Sequence, residues 1–226
     1  KTTAILFNYP HNPTGKILSK LEYDGLVKIL NKYPKCFLIF DKIYEELNFS
    51  GLHDYSFDLI KKFKKRSIII NGFSKNFSMT GWRIGYCVAD KIIINKMSIL
   101  QQHMITNVPV FIQHAALKSY EIDREFLKKY KINLFKNFEM LKSFSIRNKL
   151  IRISPSNGGL FAFINISKTN MKSDYFAFNF LKKYFVATTP GIFFGKKWDN
   201  YIRISLAINS KSFKKAVKLL EIFLQD

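Results

Sequence analysis

Gly72-Phe73-Ser74-Lys75-Asn76-Phe77-Ser78-Met79-Thr80-Gly81-Trp82-Arg83-Ile84-Gly85 decides how this chain is read. It follows Ser67-Ile68-Ile69-Ile70, an apolar run with the length and β-branched content of a buried strand, and leads into a second predicted strand from Arg83 to Val88. One lysine among many is ordinarily a solvated surface group. A lysine in a loop after a buried strand, with an arginine nearby, is in a setting that favours its neutral amine, and a neutral amine can add to a carbonyl. Arg83 carries a planar fork suited to gripping two oxygens of one anion.

The flanking sequence alternates short apolar runs with amphipathic stretches, which predicts a mostly parallel sheet covered by helices. A strand over 3–7 enters a turn-rich loop, Asn8 to Gly15. Ser19-Lys20-Leu21-Glu22 reads as a capping box opening a helix that ends near Tyr33. A strand over 36–40 then ends on Asp41. In an open parallel sheet, ligands bind beyond the C-terminal strand ends. Three such ends carry unusual polar residues: Asn8–Gly15, Asp41–Tyr44 and Ser74–Lys75.

From about 91 to 147 the pattern turns helical, with a break at Asn107-Val108-Pro109 and one long helix from Asp123 to Phe144. Beyond it, strands are predicted over 160–166, 185–188 and 201–207, with helices over 173–184 and 211–224. The expected class is α/β, with a large domain over 1–145 that includes the interdomain helix and a smaller α+β domain over 146–226.

The 226 residues are 47% hydrophobic, ample for a buried core, and no apolar run approaches the length of a membrane span. The net charge of +21 raises the question of nucleic acid, but only six of the 37 basic residues are arginine. A solvated basic surface, with no specific nucleic-acid partner, is the expectation. Cys36 and Cys87 each lie in an apolar run without metal-ligand spacing, so no metal is expected, and two reduced thiols fit a cytoplasmic protein. The chain starts with Lys1 rather than Met and enters a strand at once, as the middle of a larger protein would.

The lysine stretch resembles the cofactor-lysine signature of class I/II aminotransferases, enzymes of fold type I that use pyridoxal 5′-phosphate. Three further segments carry the same resemblance, in order. Asp41-Lys42-Ile43-Tyr44 is similar to the family's D-E-x-Y, with lysine where glutamate is usual. Asn8-Tyr9-Pro10-His11-Asn12-Pro13-Thr14-Gly15 resembles N-P-x-N-P-T-G, and Tyr201-Ile202-Arg203-Ile204-Ser205 resembles the segment of the substrate-clamping arginine. The resemblance covers essentially the whole chain and is nearest the methionine, kynurenine and aspartate aminotransferase branch. It implies that an N-terminal arm, a first phosphate-binding loop and the aromatic that stacks on the cofactor lie upstream of Lys1.

Carried over residue by residue, the resemblance implies that Lys75 is catalytic and holds the cofactor as a Schiff base. Asp41 pairs with the ring nitrogen, Tyr44 and Asn12 bond the phenolic oxygen, Arg83 holds the phosphate, and Ser74 is a further cofactor-binding residue. Gly72 stands where many relatives carry a phosphate-binding serine. Arg203 and Asn12 bind the substrate carboxylate. His11 is expected to be a solvated loop residue. Taken alone, Asp41 also reads as a helix N-cap and Asn12-Pro13 as turn punctuation. The activity implied is transamination between an amino acid and a 2-oxo acid, by a homodimer in the full-length protein. Two other readings use the same residues: a C–S β-lyase and a non-catalytic aminotransferase-like regulatory or assembly module.

Overall fold

The computed structural model describes residues 1–121 and 124–226. The chain divides into two compact units, Lys1–Pro10 with Ile17–Lys128, and His11–Lys16 with Lys129–Asp226. The fold is α/β: the first unit holds a mostly parallel sheet with helices, the second a smaller antiparallel sheet with helices. Among the described residues no helix is long and apolar enough to cross a membrane.

In the first unit, strands β1 (Ala4–Asn8), β2 (Phe37–Asp41), β3 (Ser67–Gly72) and β4 (Gly85–Val88) form a sheet in that order. The first three run parallel and β4 is antiparallel to β3. Helix α1 (Lys20–Lys32) begins with the capping box expected, Ser19 accepting from the Glu22 N–H and Glu22 reaching back to Ser19. Helix α2 (Ser56–Lys62) follows, and Leu18, Leu30, Leu38, Phe40 and Leu59 form the core. At the end of the basic cluster, the Arg66 guanidinium donates to the carbonyls of Leu30, Tyr33 and Cys36. It therefore closes the C-terminal end of α1, where carbonyls otherwise lack partners.

Helices α3 (Lys91–Met104) and α4 (Val110–Ser119) are separated where Asn107-Val108-Pro109 stands, and Pro109 is the N-cap of α4. Helix α5 spans Glu125–Arg147; the expected start at Asp123 lies outside the described residues. The change of unit falls within α5, between Lys128 and Lys129.

The second unit has strands β5 (Arg152–Ile153), β6 (Phe161–Asn165), β7 (Thr189–Pro190) and β8 (Tyr201–Ser205), ordered β5-β6-β8-β7 and antiparallel. Helices α6 (Ser173–Tyr184) and α7 (Ser210–Phe223) pack through Phe176 and Phe180 against Phe223, with ring centroids 4.9 and 5.1 Å apart. Asn137 of α5 is fully buried and donates to the Leu206 and Ile208 carbonyls, tying the helix to the end of β8.

Two strand expectations are corrected. The run from Arg83 pairs only from Gly85, because Arg83 adopts a left-handed conformation, φ 53°, that a strand cannot continue. The strand expected over 185–188 is not paired. Phe185 caps α6 at φ 56°, and pairing starts at Thr189, opposite Arg203.

Candidate active site

In the first unit the C-terminal edges of three parallel strands stand level, with Asn8 opposite Asp41 and Asp41 opposite Ile70. The Asn8 amide donates to the Asp41 carbonyl at 3.1 Å. The Asp41 carboxylate accepts the Ile43 N–H at 3.2 Å, which fixes the turn as the chain leaves the sheet. Asp41 thus makes a local backbone contact of the capping kind, at the strand end where a ligand site is expected. Tyr44, three residues on, is buried.

Lys42, which departs from the usual glutamate, is buried too, and its ammonium lies 2.8 Å from both Asp54 Oδ2 and Ser56 Oγ. Its charge is paired within the protein.

Lys75 sits in the turn after β3 and is half-buried, as is Ser74. The turn is pinned at both ends by apolar side chains, Phe73 and Met79, which are buried with Ala116 of α4. Phe73 also packs against Phe77 and Tyr120, with centroids 5.8 and 5.3 Å away. Backbone bonds from the Phe77 and Met79 N–H groups to the Phe73 carbonyl close the loop. Asn76 is buried and its Oδ1 has no partner. Arg83 is exposed, with one N–H donated to the Thr80 carbonyl at 2.9 Å. Gly72 lies opposite Gly85, and a Cβ there would stand 3.1 Å from the Ile84 carbonyl oxygen. A side chain there would need a shift of a few tenths of an ångström in the backbone around Ile84 and Gly85.

Residues that the motifs did not single out stand nearby. The Asn71 amide donates to the Glu45 carboxylate at 2.6 Å, and the Tyr86 and Tyr120 hydroxyls are 3.3 Å apart. Burial raises the Glu45 carboxyl pKa, with Lys42 and the Asn71 bond pulling the other way. Burial, the Tyr120 hydrogen bond and neighbouring charge raise that of Tyr86. Asn71, Phe73, Tyr86, Tyr120 and parts of α3 and α4 line a cavity of about 1090 Å³.

Asn12 and Arg203 belong to the second unit and touch there: Arg203 donates to Asn12 Oδ1 at 2.9 Å and to Thr189 Oγ1 at 3.1 Å. The guanidinium carbon is 4.0 Å from the Phe161 ring centroid and 5.1 Å from that of Phe194. Thr189, Phe161 and Phe194 were not site candidates from sequence, although Phe194 lies in the 190–195 stretch that precedes the Arg203 segment. The loop bearing Asn12 is anchored by Gly15, whose carbonyl accepts the Asn157 and Gly158 N–H groups at 2.9 and 3.0 Å. His11 is half-buried with Nδ1 2.8 Å from Thr14 Oγ1, and burial lowers its pKa, so it is not the solvated residue expected. Among the described residues no cluster of three or more His, Cys, Asp or Glu could hold a metal.

The fold and these strand ends define an α/β protein with a candidate ligand site at the C-terminal edge of a mostly parallel sheet. The aromatic aminotransferase from Pyrococcus horikoshii OT3 has the same architecture, with a TM-score of 0.92 and 30% identity over 100% of this chain and 60% of that one. The chain belongs to the family "Aminotransferase class I and II", whose model matches residues 1–220. It is 34% identical to the (5-formylfuran-3-yl)methyl phosphate transaminase of Methanocaldococcus jannaschii, over 99% of this chain and 58% of that protein. It is 32% identical to the aspartate aminotransferase of Pyrococcus abyssi, over 100% of this chain and 58% of that protein. The chain therefore spans a little under three fifths of the length of these curated relatives.

Proposed function

We propose that this protein transfers an amino group between an amino acid and a 2-oxo acid, using pyridoxal 5′-phosphate. The observation that carries the reading is the pairing of β2 with β3, which sets Asp41 and the Lys75 turn on neighbouring parallel strands at one sheet edge. The donor set fits the cofactor: an amine for its aldehyde, a carboxylate for its ring nitrogen, a phenol for its ring oxygen and a guanidinium for its phosphate. The orphaned Asn76 oxygen in the same turn leaves buried acceptor capacity beside Lys75.

When bound, pyridoxal phosphate supplies an aldehyde carbon and an electron-withdrawing ring. Lys75 would be the amine that holds the cofactor, and its amino group would move the proton at the substrate α-carbon. Asp41 would pair with the ring nitrogen and favour its protonated form. With the cofactor bound, Tyr44 and Asn12 would be the hydrogen-bonding groups for its phenolic oxygen, Arg83 and Ser74 would hold it by the phosphate, and Arg203 with Asn12 would orient the substrate through its α-carboxylate. Of this set, the large domain expected over 1–145 would carry every residue but Arg203, which falls in the small domain expected over 146–226. A homodimeric, cytoplasmic enzyme is part of the same proposal.

The test uses the full-length protein loaded with the cofactor and reduced with borohydride. A stable pyridoxyl adduct is expected on Lys75 by peptide mass mapping, together with 2-oxo acid formation from a panel of amino acids. An adduct elsewhere or none, with no 2-oxo acid formed, overturns the proposal. Release of pyruvate and thiol from cysteine conjugates instead would make the protein a β-lyase.

A further inference from the structure

The contacts of Arg203 carry a second assignment, which rests on its reading as the carboxylate clamp. An arginine lying on aromatic faces gains attraction across the face but little restraint on rotation in its own plane. In-plane hydrogen bonds supply that restraint, and the bonds from Arg203 to Asn12 Oδ1 and to Thr189 Oγ1 are of this kind. The two partners differ in kind. Asn12 comes from a loop, whereas Thr189 lies on β7 directly opposite Arg203 on β8. Directly opposed residues of antiparallel strands have their Cβ atoms about 4.5–5.5 Å apart, so the sheet itself sets the distance from hydroxyl to guanidinium. The backbone after Thr189 is equally constrained: Pro190 limits φ, and any Cβ at Gly191 would collide with the Trp198 and Tyr201 carbonyl oxygens.

We propose that Thr189 is a positioning residue: its hydroxyl accepts from Arg203 and fixes the angle at which the fork meets the substrate carboxylate. Asn12, proposed to contact the substrate as well, cannot serve as a fixed reference in the same way. A valine at 189 preserves the branched shape and strand preference of threonine while removing the acceptor. A serine preserves the acceptor and loses only the methyl group.

The experiment compares Thr189→Val, Thr189→Ser and Arg203→Gln with the wild type, as cofactor-loaded full-length proteins. The substrate is the amino acid turned over fastest in the panel above. Loss of an interaction made equally in ground and transition states raises KM and spares kcat. Thr189→Val is expected to raise KM about ten-fold with kcat within about two-fold, and Thr189→Ser to restore KM to within about two-fold. Melting temperatures are expected to agree among the three. If Thr189→Val melts early, Thr189→Ala serves as the second hydroxyl-free variant with the same expected KM. An unchanged KM in the hydroxyl-free variants, while Arg203→Gln raises it, overturns the role of Thr189 alone. An unchanged KM in Arg203→Gln overturns the clamp and this assignment together.

Discussion

Lys42 and Asp54 form an ion pair of 2.8 Å that is almost entirely out of water, with exposures of 1% and 9%. Ser56 Oγ takes a second bond from the ammonium, the Phe57 ring lies 4.2 Å from it, and Asp54 Oδ1 accepts from the Leu18 and Ser56 N–H groups. A lysine beside Asp41 is thereby drawn away from the strand edge into the protein.

Breaking this pair from one side leaves an uncompensated buried charge. Lys42→Met or Asp54→Ala is expected to cost about 3–5 kcal/mol of stability, and Lys42→Met combined with Asp54→Leu to recover only part of it, since the Leu18 and Ser56 N–H groups still lose their acceptor. Urea unfolding of the three variants checks the ordering. Equal losses for single and double variants would show that the pair is not what holds the segment.

Glu45 gives a pH dependence of known sign. Its carboxyl pKa is raised on folding, chiefly by burial, so the folded state holds its proton more tightly than the unfolded one. Its ionisation therefore costs stability progressively as pH rises from about 4.3, the unfolded carboxyl value, through the folded pKa. Below that window the penalty is absent, and above it the penalty is complete. Glu45→Gln retains an acceptor for Asn71 and is expected to gain relative to wild type as pH rises from 4 to 7, measured by urea midpoints at each pH.

Gly15 has φ +71°, and a Cβ there would run into Ser156 Oγ and stand 2.6 Å from the Gly158 carbonyl oxygen. Gly15→Ala is expected to cost more than about 1–2 kcal/mol, the left-handed penalty alone, and so to lower the melting temperature by about 2–8 °C. Because the loop also carries Asn12, KM for the amino acid should rise in parallel. A variant with unchanged melting and KM would show that the loop relaxes freely.

Arg83 combines a left-handed backbone with the proposed phosphate contact. Arg83→Gln is expected to weaken pyridoxal phosphate binding by about 10–100-fold, the loss of one charge-assisted hydrogen bond or more. Arg83→Gly should weaken it as much while leaving unfolding in the absence of cofactor unchanged or harder, since glycine tolerates that φ. Fluorescence titration and denaturant melts separate the two effects.

Much of the first unit was legible because its signals are local. Ser19 and Glu22 are three residues apart, and the apolar runs ending at Asn8 and Asp41 are strand-length and flanked by turns. Arg83 and Phe185 misled because each looks like strand sequence yet turns left-handed, a choice made by the loops they close. The fate of Lys42 depended on Asp54, 12 residues away, and the Asn12–Arg203 bond spans 191 residues. No local periodicity or capping signal pairs Lys42 with Asp54, and no sequence window contains both ends of the Asn12–Arg203 bond. Nor does any local signal mark Thr189, whose importance exists only in its register with Arg203.

That 191-residue separation also sets an order of events during synthesis. At about 5–20 residues per second, Asn12 is added to the chain roughly 10–40 s before Arg203. The parallel strands β1 to β3 can pair meanwhile, but His11–Lys16 must wait for β8 to find its place. The arginine cradle is thus among the last parts of the chain to form, and a nascent chain stopped short of residue 203 has no means of building it.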